Sequence, residues 1–245
     1  MSTPPKSPAG CLLRGIPLLF KRGIRPYVFI PLAINIVLFA ALAWLLTNQF
    51  EHMLEWLMPE DSWYSFLRWL LWPIFAITIL LITFYSFTTL ANLIGAPFNS
   101  VLSARIELFL SGREPQDHSG SLMREILPAI SNELRKQSYF LIRAILLVIL
   151  SVVPLTAPAA PVLWFLFSAW MLALEYLDYP MANHGMHFRQ QRRLIKKRRA
   201  GALVFGSLLT GMMLIPGINL ISMPAGVAGA TLYWHHRLKA VAISS

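Results

Sequence analysis

Charged residues and cysteine are both scarce in this chain of 245 residues. Only 13% of the residues are charged and 56% are hydrophobic, with a mean hydropathy of +0.58, whereas soluble domains are about 25% charged. A soluble core of this size cannot bury so much apolar surface, so the composition predicts an integral membrane protein. The single cysteine, Cys11, excludes an intrachain disulfide.

Catalytic signatures are also missing from the sequence. It contains no G-x-S-x-G nucleophile motif, no H-E-x-x-H zinc motif and no P-loop. We therefore predict a protein that is not an enzyme, hydrolyses no ATP and holds no cofactor or metal. The formal net charge of +10 does not indicate a nucleic-acid partner, because the basic residues flank apolar segments and serve membrane orientation.

Two long uncharged stretches predict two transmembrane helices, at 26–50 and 69–104. As helices they extend roughly 37 Å and about 54 Å at about 1.5 Å per residue. Both exceed the roughly 30 Å of a bilayer core. The second stretch either spans the bilayer and continues beyond it, or breaks near Pro97.

Two further apolar stretches, 144–174 and 200–234, are divided near their centres by proline and glycine. Their arms of about 10–15 residues are too short for a full crossing. The pattern predicts two re-entrant helical hairpins covered by protein or water, which implies a cavity or an oligomer. The alternative is four short full spans, giving six crossings. The dividing residues are Pro154, Pro158 and Pro161 in one stretch, and Pro216, Gly217 and Pro224 in the other.

The distribution of charge predicts the topology of one membrane-embedded domain, 1–245. Residues 1–25 carry five basic and no acidic residues, and residues 175–199 carry seven basic and two acidic ones. Residues 51–68 carry four acids and one arginine. The positive-inside rule places the first two segments and 105–143 in the cytoplasm, and 51–68 outside. Residues 105–143 read as an extramembrane amphipathic helical region along the interface or against another subunit.

Polar side chains within or beside the apolar stretches are candidates for a polar path. For the asparagines, interhelical hydrogen bonding and pore lining are both open. Glu175 and Asp178 could instead pair with the basic loop that follows them, and Arg105 and Glu107 with their neighbours. The pore-lining or gating candidates are Asn35, Asn92, Asn99, Arg105, Glu107, Asp178 and Asn219.

The stretch "KRGIRPYVFI", residues 21–30, places three cations before the first membrane helix. It is either a membrane anchor or an anion site. If Pro26 opens the helix, the free N–H groups of the first turn and the helix dipole favour a negative charge near Gly23–Arg25. Gly23 permits close backbone approach. Charge alone favours the membrane anchor.

Several segments resemble the CysZ-type sulfate permeases of bacterial inner membranes. They are "GIRPYVFIPLAINI", "ANLIGAPFN", "APVLWFLFSAWMLALEYLDYP" followed by "NH", and "IPGINLISMPAGVAGAT", in the family's order. The resemblance covers about residues 12–239. It implies two long transmembrane helices, helix pairs that partly penetrate the bilayer, an oligomeric assembly and sulfate uptake for cysteine synthesis.

The resemblance also implies a sulfate-binding segment at residues 22–25. The family motif is Gly-Leu/Ile-Arg-Arg at the start of the first membrane helix. Gly23, Ile24 and Arg25 match it, whereas Pro26 stands at the second arginine, so Arg22 or Lys21 is expected to supply the other charge.

We predict a multi-pass permease of the bacterial inner membrane that conducts sulfate in a channel-like way. Its expected partners are sulfate, membrane lipids and further copies of the same chain. A non-transporting membrane scaffold is the alternative, and a membrane-embedded hydrolase is a third reading that the missing motifs disfavour.

Overall fold

The computed structural model describes residues 7–57, 68–112, 122–215 and 217–243. Within these ranges the chain is helical and contains no strand, as the sequence predicts. A 3₁₀ turn lies at Ala157–Ala159 and a π-helical turn at Trp234–Leu238. The α-helices are α1 (Pro8–Leu18), α2 (Pro26–Leu57), α3 (Arg68–Ser111), α4 (Leu122–Val152), α5 (Ala160–Ala182), α6 (Phe188–Lys197), α7 (Arg199–Leu214), α8 (Asn219–Tyr233) and α9 (Lys239–Ile243).

The chain forms two compact units. The larger unit comprises residues 1–25 and 99–245, and the smaller unit comprises residues 26–98. The smaller unit contains α2 and most of α3, and it exposes large apolar side chains such as Val37, Phe39 and Trp44. Parts of the predicted external segment 51–68 and of the predicted region 105–143 lie outside the described residues.

Small residues bring the helices of the larger unit into close contact. Gly206 of α7 lies against the backbone of Ala169 in α5, and Gly15 of α1 lies against Gly229 of α8. A side chain on Gly15 would come within 2.7 Å of the Gly229 nitrogen. Glycine and alanine at such contacts let helix backbones approach closely, which is how helices pack in lipid.

The surface of the larger unit is apolar along residues 141–152 of α4 and the turn that follows. Ile142 and Leu155 are 66% and 90% exposed, and Ile145 and Leu146 are also exposed. A continuous exposed apolar face is expected on a protein surrounded by lipid. Among the described residues, one helical stretch, Ala157–Ala182, is long and apolar enough to cross a membrane, and Pro26–Leu42 and Arg199–Leu214 are shorter apolar stretches.

The second predicted stretch is one continuous helix. Helix α3 has 44 residues and passes through Pro97 to Ser111, about 66 Å at about 1.5 Å per residue. Proline removes one helix hydrogen bond, and here the helix continues through that position. The stretch therefore does not break near Pro97, and Arg105–Leu110 belong to α3, while its crossing of the bilayer stays a prediction.

Each of the two predicted hairpin stretches contains a break between two helices. One break separates α4 from α5 at residues 153–159, and the other separates α7 from α8, where Gly217 has φ +84°. Helix α5 has 23 residues and is longer than the predicted arm because it continues to Ala182. Pro224 lies inside α8, so the expectation that it divides this stretch is wrong. Re-entry and full crossing both stay predictions.

Candidate functional site

The segment Lys21–Arg25 is a tight turn between α1 and the start of α2. The Ile24 and Arg25 N–H groups both donate to the Lys21 carbonyl, each at 3.1 Å. Gly23 has φ +89°. This conformation is sterically strained for any residue with a Cβ and therefore favours glycine. The Ile24 side chain is 2% exposed, while Arg22 and Arg25 are exposed. Ile24 thus anchors a turn that presents both arginines at the surface.

This geometry changes the reason for glycine in the turn. A Cβ placed on Gly23 would meet no atom within 4 Å, so its positive φ, and not a close backbone contact, requires glycine. The N–H groups of Ile24 and Arg25 are occupied by the Lys21 carbonyl. The exposed side chains of Arg22 and Arg25 remain as donors of charge-assisted hydrogen bonds at this turn.

Asn35 and Asn219 lie apart from any described side-chain network. Asn35 is half-buried in α2, and its Oδ1 accepts no hydrogen bond within the described part of the chain. Asn219 is the exposed first residue of α8. Asn92 lies in α3, and its side chain is outside the described residues.

The last three turns of α3 carry a polar face that contacts α5 and α8. Asn99 Nδ2 donates to the Tyr179 hydroxyl at 3.3 Å, and the Ser103 and Thr231 hydroxyls lie 2.9 Å apart. Ser100 Oγ donates to Asn183 Oδ1 at 2.8 Å, and Asn183 Nδ2 donates back to the Ser100 carbonyl at 3.1 Å. Asn99 thus makes the interhelical contact that one of its two readings expects.

Glu107 is the charged centre of this polar face. Its carboxylate is almost fully buried, and Oε1 lies 2.7 Å from His184 Nε2 and 3.0 Å from Lys239 Nζ. Its Oε2 accepts no hydrogen bond from the described residues. Burial raises the pKa of Glu107, but the hydrogen bonds and positive charges of His184 and Lys239 outweigh it and leave the pKa below its ordinary value. Arg105, two positions earlier in α3, is half-buried.

A second charged cluster surrounds the buried Lys136 of α4. Its Nζ lies 3.0 Å from Asp178, 3.2 Å from Glu175 and 3.0 Å from Glu133. Gln191 Nε2 of α6 also donates to Asp178 at 2.7 Å. Burial lowers the pKa of Lys136, but the surrounding carboxylates reverse this effect and raise it above its ordinary value. The expected pairing of Glu175 and Asp178 with the following basic loop is replaced by pairing with Lys136.

Sequence reasoning missed the partners in both clusters, namely Lys136, His184 and Lys239. A usable signal was present in "LEYLDYP" with the "NH" that follows. Glu175 and Asp178 are three positions apart, which places them on one face of α5, and Asn183 and His184 follow directly after its end. Lys136 and Lys239 carry no such signal, because each is one of many basic residues in the chain.

Known proteins resemble this chain over nearly its whole length. A family model described as "Sulfate transporter CysZ/Etoposide-induced protein 2.4" matches residues 11–224. Sulfate transporter CysZ of Pseudomonas fluorescens is 40% identical over 237 residues, covering 96% of this chain and 95% of the relative. Sulfate transporter CysZ of Pseudomonas syringae pv. tomato is 41% identical over 226 residues, covering 91% and 89%.

A third bacterium has a relative of similar identity. Sulfate transporter CysZ of Salmonella typhimurium is 40% identical over 237 residues, covering 95% of this chain and 93% of the relative. These matches confirm the resemblance that the sequence segments indicated. The chain belongs to the sulfate transporter CysZ/etoposide-induced protein 2.4 family.

Proposed function

We propose that this protein is a sulfate permease of the bacterial inner membrane that supplies sulfate for cysteine synthesis. The observation that carries the proposal is the identity of about 40% with sulfate transporters over almost the full length of both chains. The apolar exposed surface of the larger unit suits a membrane protein. The relatives are named as transporters, in keeping with a protein that is not an enzyme.

Sulfate is captured at the Arg22–Arg25 turn. Arg25 and Arg22 are exposed on a turn that the buried Ile24 fixes, so two guanidinium groups are available at one end of the first long helix. Arginine donates hydrogen bonds and accepts none, which suits fully deprotonated sulfate. Monohydrogen phosphate would leave its own proton without an acceptor and bind less well. Pro26 stands where the family motif has its second arginine, and Arg22 or Lys21 supplies the missing positive charge.

Sulfate then moves along a polar route by channel-like conduction. The candidates along it are the polar residues named above: Asn35, Asn92, Asn99, Arg105, Glu107, Asp178 and Asn219. Asn99, Glu107 and Asp178 border such a route while held in place by their hydrogen-bond partners. The sequence carries no P-loop, so flow follows the sulfate gradient, couples to an ion or depends on a partner.

The protein acts as a homo-oligomer with two long transmembrane helices and two re-entrant helix pairs. Non-helical backbone at membrane depth is tolerated only where protein or water covers it. The breaks at 153–159 and near Gly217 are largely exposed in the single chain, so we infer that another subunit or water covers them. Light scattering of the detergent-solubilised protein measures the mass of the assembly. A monomeric mass in detergent and in lipid nanodiscs would contradict this part of the proposal.

Sulfate flux into liposomes tests the permease function directly. Liposomes containing the purified protein are expected to take up labelled sulfate faster than empty liposomes, and labelled phosphate no faster. Flux equal to that of empty liposomes would refute transport and leave a non-transporting scaffold.

The Arg25→Ala substitution tests the binding site. We expect sulfate affinity, measured by calorimetry, to fall by roughly tenfold, because one charge-assisted interaction is lost. Arg189→Ala is the matched control, since Arg189 is an exposed arginine of α6 outside the turn. Equal affinity in the wild type and Arg25→Ala would show that sulfate binds elsewhere.

A further inference from the structure

A basic cavity lies at the junction of α6 and α7, apart from the Arg22–Arg25 turn. It has a volume of about 330 Å³ and is bordered by Pro8 of α1 and Ala200 of α7. Four of its lining residues are cations, and no acidic side chain is among the described residues that line it. The other lining residues are Lys197, Arg198, Arg199, Gly201, Tyr233 and Arg237.

The first turn of α7 contributes backbone donors to this cavity. Helix α7 begins at Arg199, and its first helical hydrogen bond runs from the Ala202 N–H to the Arg198 carbonyl at 3.1 Å. The N–H groups of residues 199–201 therefore precede the helix ladder, and the side chain of the N-cap residue, Arg198, does not cap them. The positive end of the α7 dipole adds to the positive potential of the cations.

Tyr233 supplies a second, independent indication of a ligand. The residue is 3% exposed and lines the cavity, yet its hydroxyl forms no hydrogen bond with the described residues. Buried tyrosine hydroxyls usually have a partner. A Cβ on Gly201 would meet this hydroxyl, so glycine keeps the space beside it open. Arg198 and Arg237 lie close enough to the hydroxyl to interact with it electrostatically.

We propose that this cavity binds a tetrahedral oxyanion through Arg198, Arg199, Lys197, Arg237 and the Tyr233 hydroxyl. All of these groups donate hydrogen bonds, and charge-assisted donors bind phosphate and sulfate oxygens strongly. The phosphate of an anionic phospholipid and a free sulfate ion share this chemistry. The exposed Val204 and Leu208 of α7 favour the lipid, because they continue from the cavity as an apolar surface for an acyl chain.

Calorimetry on the purified full-length protein in an uncharged detergent tests the site. The titrants are short-chain phosphatidylglycerol, short-chain phosphatidylcholine and sodium sulfate. The test variant is Arg198→Gln/Arg199→Gln, and the matched control is Arg189→Gln/Arg193→Gln, which removes the same charge from exposed positions of α6. All variants carry Arg25→Ala, so that the proposed sulfate turn is weakened equally in every titration.

We expect phosphatidylglycerol affinity to fall at least about tenfold in the test variant and less than about threefold in the control. Phosphatidylcholine should bind no variant measurably. A loss confined to sulfate would support the same cavity with free anion as its ligand. Equal behaviour of test and control variants with both anions would overturn the proposal.

Tyr233→Phe keeps the test decisive if the double variant fails to fold. It removes only the unpartnered hydroxyl, and we expect it to weaken the same anion about two- to fivefold. Unchanged affinity for both anions in a folded Tyr233→Phe protein would overturn the proposal. The site does not depend on transport, so its failure would leave the liposome flux unchanged.

Discussion

The buried charge of Glu107 in the larger unit is stabilised by two individual side chains. Glu107 is almost fully buried, yet it is paired with His184 and with the partly exposed Lys239. A buried carboxylate without such partners would be protonated, because desolvation disfavours the ionised form. The Glu107 carboxylate therefore links α3 both to His184, just after the end of α5, and to Lys239, the first residue of α9.

Glu107→Gln tests the strength of this link. We expect the free energy of unfolding to fall by about 1–3 kcal/mol, because the two cations lose their counter-charge and Lys239 is partly screened by solvent. Thermal unfolding in detergent provides the measurement. Glu133→Gln is the control, since Glu133 is exposed and Lys136 keeps two other carboxylates. Equal loss in both variants would contradict the special role of Glu107.

The lowered pKa of Glu107 predicts that the stability of the protein depends on pH. The folded-state pKa of Glu107 lies below its ordinary value of 4.5, so its stabilisation is present in full above about pH 4.5. It is lost as the pH falls below that value through the folded-state pKa. The difference in Tm between the wild type and Glu107→Gln should therefore be constant above about pH 4.5 and narrow as the pH falls below that value. A difference that stays constant or widens below about pH 4.5 would contradict the prediction.

Helix packing in the larger unit depends on small residues at defined positions. Gly206 and Gly211 lie in the same helix, α7, but only Gly206 faces a neighbouring backbone. A Cβ on Gly206 would overlap the Ala169 carbonyl of α5, whereas a Cβ on Gly211 would meet nothing within 4 Å. The sequence alone does not distinguish the two glycines, whereas the packing of α5 against α7 shows that only Gly206 has no room for a side chain.

Gly206→Ala and Gly211→Ala form a matched pair for thermal unfolding. We expect Gly206→Ala to destabilise by about 1–3 kcal/mol, because α5 and α7 must move apart. Gly211→Ala should be neutral or stabilise by up to about 1 kcal/mol, since alanine is the better helix former. Similar melting temperatures for both variants would contradict close α5–α7 packing in the membrane protein.

The membrane topology of the whole molecule depends on whether the helix pairs α4/α5 and α7/α8 re-enter the bilayer or cross it. Single cysteines near the two breaks answer it, and the native background suits the experiment. Cys11 is fully buried and its pKa is raised to about 11, because burial disfavours the thiolate that reacts. The native thiol is therefore expected to stay unlabelled at neutral pH.

Leu155→Cys and Asn219→Cys report on the two breaks, since both positions are exposed. His52→Cys serves as the external reference and Arg189→Cys as the cytoplasmic one. For re-entrant pairs we expect a membrane-impermeant reagent added outside to label only the external reference. Labelling of positions 155 and 219 from outside would favour six full crossings.

Much of this protein follows from local sequence. Hydropathy places it in a membrane, and helix-forming stretches set its all-helical class. The sequence predicts close backbone approach at Gly23, whereas the structure shows open space and a φ of +89° there. Family membership is also readable from ordered segments. Proline was a poorer guide, because Pro97 and Pro224 each remove only one hydrogen bond and both lie within continuous helices.

Tertiary structure alone decided which polar groups meet. Glu107 pairs across 77 positions with His184 and across 132 with Lys239, and Lys136 reaches Asp178 across 42. The basic cavity likewise joins α1, the α6–α7 junction and α8. Backbone preferences and hydropathy act over a few residues. Side-chain pairing instead depends on the register in which helices pack, and contacts such as Gly206 against Ala169 fix that register.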